Sequence, residues 1–148
     1  MASVRIFPTA QDAENAFYES LERGDLDLMM AVWAEDEEIV CVHPGQTRLT
    51  GAEAVREAWR SMFVTGPNMR IRAVQQVAIS GMMVAVHSVL ETIVVPGESK
   101  ARPPVVATNV YIKSAAGWRM IAHHASPVQA APSAVAEPPR AQPGKTLH

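Results

Sequence analysis

Up to Thr65 the apolar positions recur at three- and four-residue spacing; from Met69 onward they fall in short blocks rich in branched residues. Ala10, Ala13, Phe17 and Leu21, with Ala16 and Ser20 beside them, predict one apolar or small face of a first helix. Thr9 is its hydroxyl cap, Asp12 follows three residues on, and Gly24 is placed to stop it. Asp25 can cap a short second helix whose expected buried stripe is Leu26, Met29, Met30 and Trp33. Glu35 to Glu38 reads as a solvated turn, and Glu38 to His43 as a strand ending at Pro44-Gly45. Thr50-Gly51-Ala52-Glu53 carries the pattern of a capping box. Ala52, Val55, Trp59, Met62 and Phe63 then share one face of a third helix, which Thr65-Gly66-Pro67 ends.

Four strands are predicted after that: Met69 to Ser80, Met82 to Val95, Val105 to Lys113 and Trp118 to Ala125. Turn residues separate them, namely Gly81, the stretch Pro96 to Lys100 closed by Pro103-Pro104, and Ser114-Ala115-Ala116-Gly117. Helices first and a mostly antiparallel sheet second is an α+β order. Past Ser126 the chain turns to alanine, proline and small polar residues, too poor in bulky apolar groups to offset the entropy of ordering. The expected organisation is therefore one packed domain over residues 1–127 and a flexible Ala/Pro-rich tail over 128–148.

Composition narrows the function classes. With 148 residues, 48% of them apolar and 19% charged, the chain can bury a core without a metal or disulfide. A net charge of −2 and scattered arginines argue against a nucleic-acid partner. No apolar run is long enough to span a bilayer, and Met1 to Pro8 lacks the pattern of a secretory leader. The single cysteine, Cys41, excludes an internal disulfide, so a cytoplasmic setting is expected.

The candidate chemistry lies in polar groups set inside apolar strands. Glu91, between Leu90 and Thr92, needs a partner or a raised pKa if it faces inward; otherwise it points out from an edge or into a dimer. Asn109 can orient a neighbouring acid or imidazole, or fix a ligand carbonyl, or be satisfied by backbone alone. His123 and His124 must face opposite sides of their strand, so they do not converge on one metal. No second cluster supports a metal, and neither a metal nor another cofactor is expected. Tyr18, His87 and Tyr111 are weaker candidates, read first as core or interface.

Several of these stretches together resemble a known family. Gly24-Asp25-Leu26-Asp27 through Trp33-Ala34-Glu35-Asp36, Cys41-Val42-His43-Pro44-Gly45, Leu49-Thr50-Gly51 and Gly117-Trp118-Arg119-Met120 to His123-His124-Ala125-Ser126 look like the SnoaL-like branch of the NTF2-like superfamily. The resemblance implies a cone: three helices in the concave face of a curved, mostly antiparallel sheet, a pocket at the open end, and homodimers through the sheet. It covers about residues 10 to 127. Against ketosteroid isomerase, a member whose aspartate base works with a tyrosine and a protonated aspartic acid, the tyrosine position falls on Phe17. The base falls near His43-Pro44, and the third acid has no counterpart. Phenylalanine cannot donate a hydrogen bond, so steroid isomerisation is not expected.

The resemblance places His43 at the pocket rim, where an imidazole can take a proton near neutral pH; a structural histidine bonded to a loop is the alternative. On this reading the catalytic candidates are His43, Glu91, Asn109 and His123. Trp33, Trp59, Phe63, Tyr18 and His124 would line the ligand site, unless the aromatic stripe is simply core. The expected function is binding of a small apolar molecule, with isomerase, cyclase or dehydratase chemistry by proton transfer. The alternative is a non-catalytic NTF2-like binding or oligomerisation module.

Overall fold

The computed structural model describes residues 4–35, 38–66 and 69–128. Three helices, α1 (Ala10–Arg23), α2 (Leu26–Val32) and α3 (Ala52–Thr65), pack on a six-stranded sheet. Its strands are β1 (Val40–Val42), β2 (Leu49–Thr50), β3 (Arg70–Ser80), β4 (Val84–Val94), β5 (Val105–Ser114) and β6 (Gly117–Pro127). Their order across the sheet is β2-β1-β6-β5-β4-β3; β1 runs parallel to β6 and the other neighbours are antiparallel. This is the expected α+β arrangement. Among the described residues no helix is long and apolar enough to cross a membrane.

The local signals explain most of the ends. Thr9 caps α1 by accepting the Asp12 N–H at 3.0 Å, and Gly24 closes it in the left-handed conformation. Asp25 caps α2 through the Leu28 N–H at 3.0 Å. Gly117 is held at φ 89°, and a Cβ there would meet the Phe7 carbonyl at 2.7 Å, so glycine is required at that hairpin.

Other expectations need correction. Thr50 does not cap α3: it pairs with Val40 in the short strand β2, which the sequence pattern missed, and Gly51 takes the cap position with no side-chain bond. The first strand is only Val40–Val42, while the last extends to Pro127. In α2 the buried residues are Leu28, Met29 and Val32, and Leu26 and Met30 are only half-buried. In α3, Val55 and Trp59 are buried, Met62 and Phe63 are half-buried, and Ala52 is exposed. The predicted tail beyond Val128 lies outside the described residues, as does part of the acidic turn.

Two bulges set which side chains enter the core. In β6 the register passes from Ala122 opposite Val110 to Met120 opposite Tyr111, leaving Ile121 as an extra residue. Met120 and His123 therefore both face inward, and His124 is exposed on the outer face. In β3, Gln75 and Gln76 together oppose Val89, and Gln75 takes φ 51°. The slip sends Val77 and Ile79 outward, beside Ser88 and Val86, and turns Ala78 and Ser80 inward beside His87 and Ala85.

Candidate functional site

The concave face of the sheet and α1 trap a connected set of polar side chains in an otherwise apolar interior. Glu91 of β4, Asn109 and Tyr111 of β5 and His123 of β6 share the inner face, because each stands opposite another inward residue in the ladder. Glu14 and Tyr18, one helical turn apart on α1, reach into them. All six are buried, and Asn109 is the node. Its Nδ2 donates to Tyr18 Oη at 3.0 Å and to Glu14 Oε2 at 3.3 Å, and its Oδ1 lies 2.6 Å from His123 Nδ1. An amide oxygen can only accept, so His123 carries its proton on Nδ1. Tyr18 donates in turn to Glu91 Oε2 at 2.8 Å. A continuous chain thus runs from His123 through Asn109 and Tyr18 to Glu91.

A second branch closes on Glu14. Its carboxylate accepts from Tyr111 Oη at 2.8 Å, from Gln76 Nε2, and from His87 Nδ1 at 2.8 Å. With Asn109 that makes four donors around one buried acid, which removes most of the desolvation cost of a charge there.

Burial sets the protonation states. Removal from water raises the Glu91 carboxyl to about 7, and the nearby Glu14 charge adds to this while the Tyr18 hydrogen bond opposes it. Burial, reinforced by the Glu91 charge, also raises Tyr18, so its hydroxyl keeps its proton. His123 is lowered to about 3, by burial first and then by His43 and His124, and stays neutral. His43 is lowered by burial, and the Cys41 thiol is pushed up to about 12 by burial and then by Glu91.

Of the residues singled out from sequence, the structure brings Glu91, Asn109, His123 and Tyr18 together. His43 is buried apart from them, its ring edge-on to Trp59 with centroids 4.5 Å apart and its Nε2 3.8 Å from Cys41 Sγ. Trp33 and Trp59 pack about Phe17, and the indole N–H of each is buried without a hydrogen-bond partner. Phe63 lies over Trp59 at the half-buried margin. His124 stands on the opposite face of the sheet and joins none of them. The space between the helices and His123 is thus occupied by Phe17, Trp33 and Trp59. Open volume lies at the side instead: a groove of about 500 Å³ between α1 and β3 whose lining includes Glu14, Tyr18, Ile71, Ala73 and Gln76.

Sequence reasoning missed Glu14 and Gln76 and set His87 and Tyr111 aside as core or interface. Glu14 carried a readable signal, because it sits four residues after Ala10 and three before Phe17, on the face predicted to be buried. Among the described residues, no three or more His, Cys, Asp or Glu side chains are grouped as metal ligands.

Comparison with known proteins agrees with this architecture. A family model described as a SnoaL-like domain matches residues 11–130. A Thiobacillus denitrificans structure, provisionally described as a calcium/calmodulin-dependent protein kinase type II association domain, is 42% identical, with TM-score 0.77, over 84% of this chain and 99% of that one. A Streptomyces avermitilis structure, provisionally described as a dehydratase of the NTF2-like family, is 30% identical, with TM-score 0.71, over 80% of this chain and 92% of that one. A Parabacteroides distasonis structure, provisionally described as a ketosteroid isomerase, shares the fold at 17% identity and TM-score 0.65, over 80% of this chain and 87% of that one. None of the curated proteins compared matches the chain.

Proposed function

The chain belongs to the SnoaL-like domain family of the NTF2-like superfamily, and on that premise we propose that it binds a small, largely apolar molecule and transfers a proton on it, as an isomerase or dehydratase does. The observation that supports this reading is the chain of hydrogen bonds ending at Glu91, with Tyr18 also lining the groove between α1 and β3. Glu91 near neutrality is an acid that can give up its proton at working pH. With Glu91 protonated, its O–H donates to the Tyr18 oxygen, the reverse of the bond Tyr18 makes to the carboxylate, and this frees the Tyr18 proton for an oxygen of the ligand. That oxygen would be a hydroxyl leaving as water in a dehydration or a carbonyl oxygen becoming an enol in an isomerisation; the proton lost from carbon passes to solvent water, which returns one to Glu91. Asn109 and His123 orient the tyrosine. His43 takes no part in the relay.

Cyclohexanone in heavy water tests the relay with a simple ketone. The wild-type protein should speed deuterium uptake next to the carbonyl, and Glu91→Gln and Tyr18→Phe should each lose about 100-fold of that acceleration. Equal exchange in all three proteins would remove Glu91 and Tyr18 from the chemistry.

A second reading, association through the sheet, is favoured by the outer face. Val77, Ile79 and Val84 are exposed there, and the relative from Thiobacillus denitrificans is described as an association domain. Contiguous apolar surface of this kind marks an interface. We infer a homodimer that covers this face. Light scattering coupled to gel filtration should report a dimer for the wild-type chain and a monomer for the double variant Val77→Lys, Ile79→Lys; a dimer in both would rule the face out.

A further inference from the structure

We infer that a second groove, at the start of α1, is a binding site for a small phenol-like compound whose hydroxyl is taken by His87, with Glu14 holding the imidazole in place. The inference does not depend on the Glu91 relay. The groove has a volume of about 370 Å³, at the lower end of the range for small-molecule sites. His87 and Trp118 line it together with the small Ala10, Ala78 and Ala85 and with several polar side chains.

Three observations converge. First, the imidazole is oriented as in a carboxylate–histidine pair: Nδ1 lies 2.8 Å from Glu14 Oε2. A carboxylate only accepts, so Nδ1 carries a proton, and in the neutral imidazole the lone pair is then on Nε2. Gln76 Nε2, 3.3 Å from the same Nδ1, spends its own protons on Gln11 and Glu14. Among the described residues Nε2 of His87 has no hydrogen-bond partner, although the residue lines the groove and is 97% buried by its 3% exposure. A donor in the groove, a water or the hydroxyl of a ligand, satisfies this nitrogen. Such a pair fixes the tautomer and aims one nitrogen at a reacting or binding group.

Second, the groove is kept open by a bulge. Regular alternation after Val74 would have turned Val77 and Ile79 inward against α1. The extra residue at Gln75–Gln76 turns them out and places Ala78 and Ser80 there instead. A non-glycine residue at φ 51° carries a conformational cost, and such costs are retained where the strand must be re-aimed. Third, the alanines and the indole of Trp118 give the groove an apolar wall for an aromatic ring, and His87, with Thr9, Gln11, Gln76 and Ser80 around it, gives a polar side for the hydroxyl.

Phenol titrated into the full-length chain, followed by backbone amide, imidazole ¹⁵N and indole NMR signals, tests this. The expected result is a saturable shift of His87 Nε2 and Trp118 Nε1, weakened at least tenfold in Ser80→Leu, which fills the groove from an exposed position. Glu14→Gln should weaken binding as well, with His87 losing its fixed tautomer. Toluene should bind less tightly than phenol. Shifts confined to Ile71 and Ala73 in the neighbouring groove, no saturation up to the solubility of phenol, or equal affinity in Ser80→Leu would each overturn the assignment.

Discussion

Glu14→Ala should lower the free energy of unfolding by about 3–5 kcal/mol, because it strands several buried hydrogen-bond donors at once. The reason lies in what is left behind. Tyr111, Asn109, Gln76 and His87 all direct a donor at this one carboxylate, and three of the four are themselves buried. Alanine leaves those donors facing a void, and each unsatisfied buried group costs about 1–3 kcal/mol. Glu14→Gln keeps the shape and one accepting oxygen, so its loss should be smaller. Urea unfolding at neutral pH compares the three proteins. A loss below about 1 kcal/mol for Glu14→Ala would mean that water repairs the network and that it is not a closed interior feature.

Glu91 should make stability depend on pH in the opposite sense to most carboxylates. Its folded pKa, about 7, lies above the ordinary 4.5. Between those values the folded protein binds more protons than the unfolded chain, so the acid's contribution is full below pH 4.5 and is lost as pH rises through 7. A shift of this size corresponds to about 3 kcal/mol. His123, lowered from 6.5 to about 3, acts the other way: its contribution is full above 6.5 and is lost as pH falls toward 3. The two partly cancel in the wild-type profile. Subtracting the wild-type stability from that of Glu91→Gln isolates the acid. That difference should rise by about 3 kcal/mol from pH 4.5 to 7.5 in urea titrations; a flat difference would show that Glu91 titrates normally in the folded state.

The framework was legible because its signals are local. Thr9, Gly24 and Asp25 act through bonds to residues at most a few positions away, and the apolar spacing of α1 survives whatever it packs against. Glu91 and Asn109 were also legible, since a polar group amid branched residues stands out by itself. What was hidden depends on register between distant strands. Strict alternation from Met120 would have placed His124 in the core, and only the extra Ile121 brings His123 inward. The same holds for Gln76, which reaches Glu14 because of a bulge against β4 that no local pattern announces. Thr50 misled because a capping-box pattern and a two-residue strand place the same residue one position apart. The hollow expected behind Trp33 and Trp59 was a statement about volume, and sequence does not report how far Phe17 fills the space between them.

On the proposed function the acid chemistry lies at the side of the cone, where Tyr18 and Glu14 meet the groove, with the aromatic residues as packed backing. That follows from burial: an acid with no aqueous contact keeps its proton, and one reached through a hydroxyl can release it.

The claim on which this rests is that Glu91 is a protonated acid at mildly acidic pH. Carbon-13 NMR of the side-chain carboxyl, in protein labelled at glutamate and assigned by Glu91→Gln, measures it directly. The account predicts a titration midpoint near 7; a midpoint close to the ordinary 4.5 would contradict it.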